Sequence, residues 1–181
     1  PADKRREWRM LQLLTAKPVL YIANVDEESA ATGNEHSARV EDYAKGEGAP
    51  AVVISAKIES EIAVLAPEER KDYLEALGLE ETGLTRMIHA GYNLLDLITY
   101  FTVGPKEARA WTIRHGTLAP QAAGVIHGDF EKGFIRAETT AFDDFVANKG
   151  EAGSREAGKL RQEGKDYVVQ DGDVMHFKFN V

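Results

Sequence analysis

The sequence contains no cysteine, which removes disulfide frameworks, thiolate metal sites and cysteine nucleophiles together and fits a reducing compartment. No apolar run reaches the roughly 18 residues of a membrane span, and the opening PADKRREWRM is charged where a secretory signal would be apolar. The chain is therefore expected to be cytoplasmic, with no membrane partner. Its first residue is Pro1 rather than Met, so the start is expected to come from processing or from expression design. Excess positive charge is missing too. The 22 Lys and Arg face 30 Asp and Glu, a net −8 that argues against gripping nucleic acid by bulk electrostatics. Residues 1–95 hold 11 basic against 17 acidic side chains (−6), and residues 96–181 hold 11 against 13 (−2). Any RNA contact needs a local basic face on the second half.

What is present is a globular composition: 181 residues, 43% hydrophobic and 29% charged, enough to bury roughly 70% of the unfolded surface without a staple. Arg5 to Leu14 carries Trp8, Leu11 and Leu14 at helical spacing, ended by Lys17-Pro18. Val19 to Val25 (VLYIANV) predicts a strand covered on both faces. The polar segment Asp26 to Lys45 supplies a loop and helix, and Ala51 to Ala56 (AVVISA) is a second strand. Together they predict a parallel βαβ unit. A helix begins at Pro67 and is stopped by Gly78, and another runs from Leu84 to about Leu95. Beyond Leu97 the texture changes to short strands, LITYFTV, ARAWTI, GFIRAETT, YVVQ and DVMHFKFNV, around a small helix at Ala119 to Ile126. Asp171-Gly172 predicts a hairpin turn between the last two. The stretch 147–164 reads as polar helix or loop. The boundary falls near residue 95, and the second half predicts a compact α+β module of about 85 residues.

The first strand leads into Asn24-Val25-Asp26-Glu27 and the second into Ser55-Ala56-Lys57. In doubly wound folds ligands lie at the carboxyl ends of the strands. An Asn there sets its carbonyl and amide on a purine edge or ties the two loops together, and a backbone N–H of the second loop donates to a base acceptor. The alternative is that Asn24 and Ser55 only end strands and cap the segments after them. The one approximate phosphate loop, GSREAGKL (Gly153 to Leu160), puts Leu160 where a metal-binding hydroxyl belongs and comes after a polar run instead of a buried strand, so it reads as a surface helix. His36, His89, His115, His127 and His176 lack zinc-helix spacing and read as surface or structural residues.

The blocks LLTAKPVLYIANVDE, ISAKIESEI, ERKDYLEALGLEETGLTRMIHAGYNLLDLITYFTVGPKEARAWTI, PQAAGVIHGDFEKGFIRAET and EGKDYVVQDGDVMHFKFNV resemble the YchF/Obg-like ATPases, relatives of the P-loop GTPases, from Leu13 to Val181. The resemblance implies an α/β remnant of a P-loop nucleotide-binding domain with the end of a helical arm in residues 1–95, then an α+β ubiquitin-like β-grasp (TGS) domain in residues 96–181. Where GTPases carry Asn-Lys-x-Asp, this chain has Asn24, Val25, Asp26 and Glu27. Losing the Lys and lengthening the carboxylate disrupts the guanine-selecting fork, in keeping with the family's preference for ATP. By resemblance Asn24 and Val25, with Ser55 and Ala56, line the adenine pocket, and Glu27 marks the departure from the GTPase pattern. The family's phosphate loop, magnesium-binding switches and catalytic histidine are expected upstream.

The resemblance implies ribosome or structured-RNA contact through the TGS domain. The cations proposed for it are Arg109, Arg114, Lys132 and Arg136, with Trp111 and Phe134 either stacking on bases or building the core, as aromatics in short strands usually do. ATP and Mg are expected in the intact protein, with no cofactor required by this portion and no hydrolysis by it alone. The alternative is a stand-alone RNA- or protein-binding TGS module without nucleotide function. An independent small-molecule enzyme finds no local nucleophile, base and orienting acid, and would require His127 and Asp129 to join another titratable group in a dry cleft.

Overall fold

A computed structural model describes residues 10–180, which fold as two compact units divided between Leu95 and Asp96. In the first unit β1 (Tyr21–Asn24) and β2 (Ala51–Ile54) pair in parallel, Tyr21 opposite Ala51 and Asn24 opposite Ile54. The crossover between them is α1 (Glu35–Glu47). Its start is fixed by Asn34, whose side chain accepts the His36 and Ser37 N–H groups at 3.0 Å while the Ser37 hydroxyl accepts the Asn34 N–H at 2.8 Å. Its end is fixed by Gly48 at φ +68°. Next come α2 (Ala56–Val64), α3 (Pro67–Ala76) and α4 (Gly83–Leu95). Pro67 opens α3 where its missing N–H costs nothing, and the Glu69 carboxylate accepts the Ala66 N–H at 3.1 Å. Ala30, Ile58, Ile62 and Leu79 form the buried cluster, with Tyr73, Leu74 and Leu77 against it.

Two expectations change here. Both strands are shorter than their apolar runs, β2 because Ser55 already serves as the N-cap of α2. Nor is β1 covered on both faces: Ala23 is buried but Ile22 is 44% exposed, while its partner Val52 on β2, the strand that α4 packs against, is buried. Of the amphipathic helix expected at Arg5 to Leu14, residues 5–9 lie outside the described residues. The remainder leads into an exposed 3-10 turn at Leu14–Ala16.

The second unit is a five-stranded mixed sheet: β3 (Leu97–Val103), β4 (Ala108–Arg114), β5 (Phe134–Ala141), β6 (Arg161–Glu163) and β7 (Asp173–Phe179), in the order β4-β3-β7-β5-β6. The central pair β3 and β7 is parallel and the other pairs are antiparallel. Strand alternation sends Ile98, Tyr100, Ile113, Ala137, Met175 and Phe177 to one face, where α5 (Ala119–Ile126) lies. The buried helix residues Ala119, Ala122 and Ala123 are small, so the helix backbone approaches closely and the buried Tyr100 hydroxyl donates to the Ala122 carbonyl at 2.8 Å. A short α6 (Gly128–Lys132) comes after it. The opposite face takes α7 (Phe142–Ala147) and α8 (Glu151–Glu156), with Phe142 against Phe101 at 5.5 Å between ring centroids.

The predicted hairpin at Asp171-Gly172 does not form. β7 is a central strand with both edges taken, so Tyr167 to Gln170 cannot pair with it and makes only an isolated bridge, Val168 to Leu118. Asp171 and Gly172 instead clamp β3: the Thr99 N–H donates to Asp171 Oδ1 and the Gly172 N–H to the Thr99 carbonyl, both at 2.8 Å, with Gly172 at φ +80°. Among the described residues no helix is long and apolar enough to cross a membrane.

Candidate functional site

The parallel register brings the loops after β1 and β2 side by side. Val25 extends the ladder, its N–H donating to the Ile54 carbonyl at 2.8 Å. Asn24 Oδ1 accepts the backbone N–H of Ala56 at 2.9 Å. Ala56 is the first residue of α2, so that N–H has no partner within the helix, and the adjacent Ser55 side chain does not cap it. Asn24 therefore caps α2 from across the sheet, which leaves its side-chain NH2 as the donor facing outward from the amide. Ser55 is buried, its carbonyl starts the helix by accepting the Glu59 N–H at 3.0 Å, and its hydroxyl has no partner among the described residues.

Three residues past the last paired position on each strand stand Glu27 and Lys57. The Lys57 ammonium lies 2.8 Å from each of the two Glu27 carboxylate oxygens. The hydrogen bond and charge of Glu27 hold the Lys57 ammonium above its ordinary range. Asp26 turns away from this pair to Ser29, whose hydroxyl and backbone N–H hold its carboxyl below the usual range; the Ser29 N–H to Oδ1 distance is 2.9 Å. Behind the loops, Glu59 on α2 accepts the Gly83 N–H at 2.7 Å and ties α4 to the same helix.

The cations proposed for RNA do not form one patch. On β4 Arg109 pairs with Thr102 and Arg114 with Leu97, positions of opposite parity, so the two arginines project from opposite faces of the sheet. Arg109 lies on the α5 face with its guanidinium 4.1 Å above the Trp111 ring, whose Nε1 donates to Thr102 Oγ1 at 2.9 Å. Trp111 packs against the core, and Phe134 is buried in it. Lys132 ends α6, whereas Arg136 sits on β5 opposite Lys178, on the same face as Arg114.

Residues 97–180 match the family model "YchF-GTPase_C: Protein of unknown function (DUF933)". The chain is 58% identical over 181 residues to the ribosome-binding ATPase YchF of Bacillus subtilis, a match that covers 99% of this chain and 50% of that protein. It is 56% identical over 180 residues to the ribosome-binding ATPase YchF of Escherichia coli O157:H7, covering 99% and 49%. The chain belongs to the YchF family. The solved Schizosaccharomyces pombe YchF GTPase superposes with a TM-score of 0.80 at 39% identity, covering 93% of this chain and 45% of that one. The chain thus spans about half the length of the curated YchF relatives it matches.

Two further features of this YchF-family chain are resolved by geometry. Gly153 to Leu160 is no phosphate cradle: its first residues belong to α8, Ser154 is buried, and Lys159 is paired with Asp144 at 3.2 Å. A Cβ on Gly153 would strike the Asn148 carbonyl, so this glycine serves close packing behind α7. His127 and Asp129 are exposed, with His127 Nδ1 accepting the Asp129 N–H at 3.2 Å. His127 is thus the N-cap of α6, and the two exposed side chains stand in solvent and not in a dry cleft. Sequence reasoning passed over a cavity of about 390 Å³ on the α8 face, lined in part by Glu138, Glu151, His176 and Phe145. The ligand atoms of Glu138, Glu151 and His176 lie within 4.8 Å of one another. Arg155 reaches Glu138 at 3.3 Å and Glu151 at 3.0 Å, and Lys178 reaches Glu138 at 3.4 Å, so both carboxylates are already paired with cations.

Proposed function

We propose that this chain is the base-recognising and ribosome-docking half of a YchF-type ATPase. The observation that carries the reading is the Asn24 to Ala56 hydrogen bond at 2.9 Å. It fixes the two loops at the carboxyl ends of parallel strands, where doubly wound folds hold ligands, and it leaves the Asn24 NH2 as a donor for a purine ring nitrogen. Asn24, Val25, Ser55 and Ala56 are the pocket residues, with Glu27 at its rim. The sheet order β4-β3-β7-β5-β6 around α5 supports reading residues 96–181 as a β-grasp TGS domain. The names of the B. subtilis and E. coli relatives support ribosome contact, with ATP as the nucleotide, and a cytoplasmic location accords with that partner.

The triphosphate and its Mg would be held by a phosphate loop in the other half of a full-length protein, since Gly153 to Leu160 does not fit the task. The 181-residue chain should then show no ATP turnover, while a longer version carrying a GxxxxGK[ST] loop should hydrolyse ATP. Equal turnover by both would overturn the division. The separate core of the second unit favours a second reading, a binding module that needs no nucleotide. Co-sedimentation of the chain with ribosomes, undiminished when ATP is withheld, would favour it.

A further inference from the structure

We propose that Lys57 sets the purine preference of the base pocket by occupying the Glu27 carboxylate, an inference that rests on the base-pocket reading above. An ionised carboxylate only accepts hydrogen bonds. Guanine presents two adjacent donors on its pairing edge, N1–H and the N2 amino group, whereas adenine presents one amino group beside the lone pair of N1. A free carboxylate at the rim therefore matches guanine and repels adenine. In this chain Glu27 is not free. Lys57 Nζ stands 2.8 Å from Oε1 and 2.8 Å from Oε2, so a single ammonium spans both acceptors. The pairing is built into the sheet. Asn24 is opposite Ile54, and Glu27 and Lys57 each lie three residues further on, which brings the two side chains together as the chains leave the parallel strands. With the carboxylate neutralised, guanine loses its acceptor and adenine loses a repulsive neighbour, while the Asn24 NH2, oriented by the Ala56 contact, serves a ring nitrogen common to both purines. Selectivity then comes from withholding a contact from the wrong base as well as from offering one to the right base.

The test is a titration of the isotope-labelled 181-residue chain with 5′-AMP and with 5′-GMP, read at the amide resonances of Val25 and Ala56. The wild-type chain should prefer AMP. Lys57→Met should move the AMP-to-GMP affinity ratio toward GMP by roughly five-fold, the size appropriate to a partly exposed ion pair. Lys57→Arg should preserve the ratio. In a Glu27→Gln background Lys57→Met should change nothing, because no carboxylate remains to be released. Unchanged resonances of the first-unit core residues Ala30, Ile58, Ile62 and Leu79 verify folding of each variant. If AMP binds but the ratio is the same in Lys57→Met, or if it shifts equally in the Glu27→Gln background, the assignment of Lys57 is overturned and the pocket stands. If neither nucleotide moves Val25 or Ala56 in the wild-type chain, the pocket reading fails and the role of Lys57 fails with it.

Discussion

The side-chain carbonyl of Asn24 holds the backbone N–H of Ala56 at 2.9 Å, so a residue at the end of β1 caps the helix that begins after β2. Capping needs only the oxygen, whereas contact with a base needs the NH2, and substitution separates the two. Asn24→Asp keeps an acceptor, places negative charge at the positive end of α2 and should leave stability within about 0.5 kcal/mol of wild type. Asn24→Ala leaves the amide without its cap and should cost about 1 kcal/mol in urea unfolding. Both should lose the AMP-induced shift at Val25. Retention of that shift in Asn24→Asp would confine Asn24 to capping.

Gly83 opens α4 where there is no room for a methyl group. A Cβ there would lie 2.8 Å from Ile54 Cγ2 and 3.0 Å from Glu59 Oε1, the carboxylate that accepts the Gly83 N–H. Gly83→Ala should therefore destabilise the first unit by about 1–3 kcal/mol through overpacking, despite the better helix propensity of Ala. Urea unfolding monitored on first-unit resonances checks this, with unchanged or raised stability as the contrary result.

The elements that could be read from sequence are those whose pattern and burial agree. LITYFTV alternates Ile98 and Tyr100 inward and forms the strand Leu97–Val103, and Pro67 opens its helix as its fixed φ dictates. α2 was hidden because Ser55 and Ala56 extend an apolar run and only the Asn24 cap, which is non-local, marks the helix start. β6 was hidden because Arg161, Gln162 and Glu163 offer no apolar alternation and are strand only as the partners of Thr139, Glu138 and Ala137. The Glu27–Lys57 pair had a legible signal, opposite charges at equal distances past two parallel strands, but it needs the register to be seen. The opposite parity of Arg109 and Arg114 was in the numbering itself, and grouping them by chain proximity concealed it.

That parity makes ribosome contact through the sheet testable face by face. Arg114 and Arg136 share one face, whereas Arg109 is on the other and stacks on Trp111. Arg114→Glu and Arg136→Glu should each weaken co-sedimentation with ribosomes, and the less drastic Arg114→Ala should lower the dependence of log affinity on log salt by about one phosphate contact. Arg109→Glu should have the smaller effect. Equal losses at Arg109 and Arg114 would show that no single face docks.

Glu47 gathers two phenols, accepting from the Tyr21 hydroxyl at 2.5 Å and the Tyr43 hydroxyl at 2.8 Å. These bonds hold the Glu47 carboxyl below its usual range, and the bond to Glu47 pushes Tyr21 up to about 12 from an ordinary 10.0. Between those two values the folded chain retains a phenolic proton that the unfolded chain has lost, so folding binds protons there and stability falls as pH rises. Below the ordinary phenol value the contribution of Tyr21 is complete. At the acid end the sign reverses: the depressed Glu47 carboxyl stabilises the fold above its unfolded value, and that contribution fades as pH drops through the folded one. Glu47→Gln removes the carboxylate and should bring Tyr21 back toward its ordinary 10.0, measured as a lower midpoint of its phenolate absorbance or ring-carbon shift, with the alkaline loss of stability starting from a smaller advantage. A Tyr21 midpoint indifferent to Glu47→Gln would show that the carboxylate does not govern its titration.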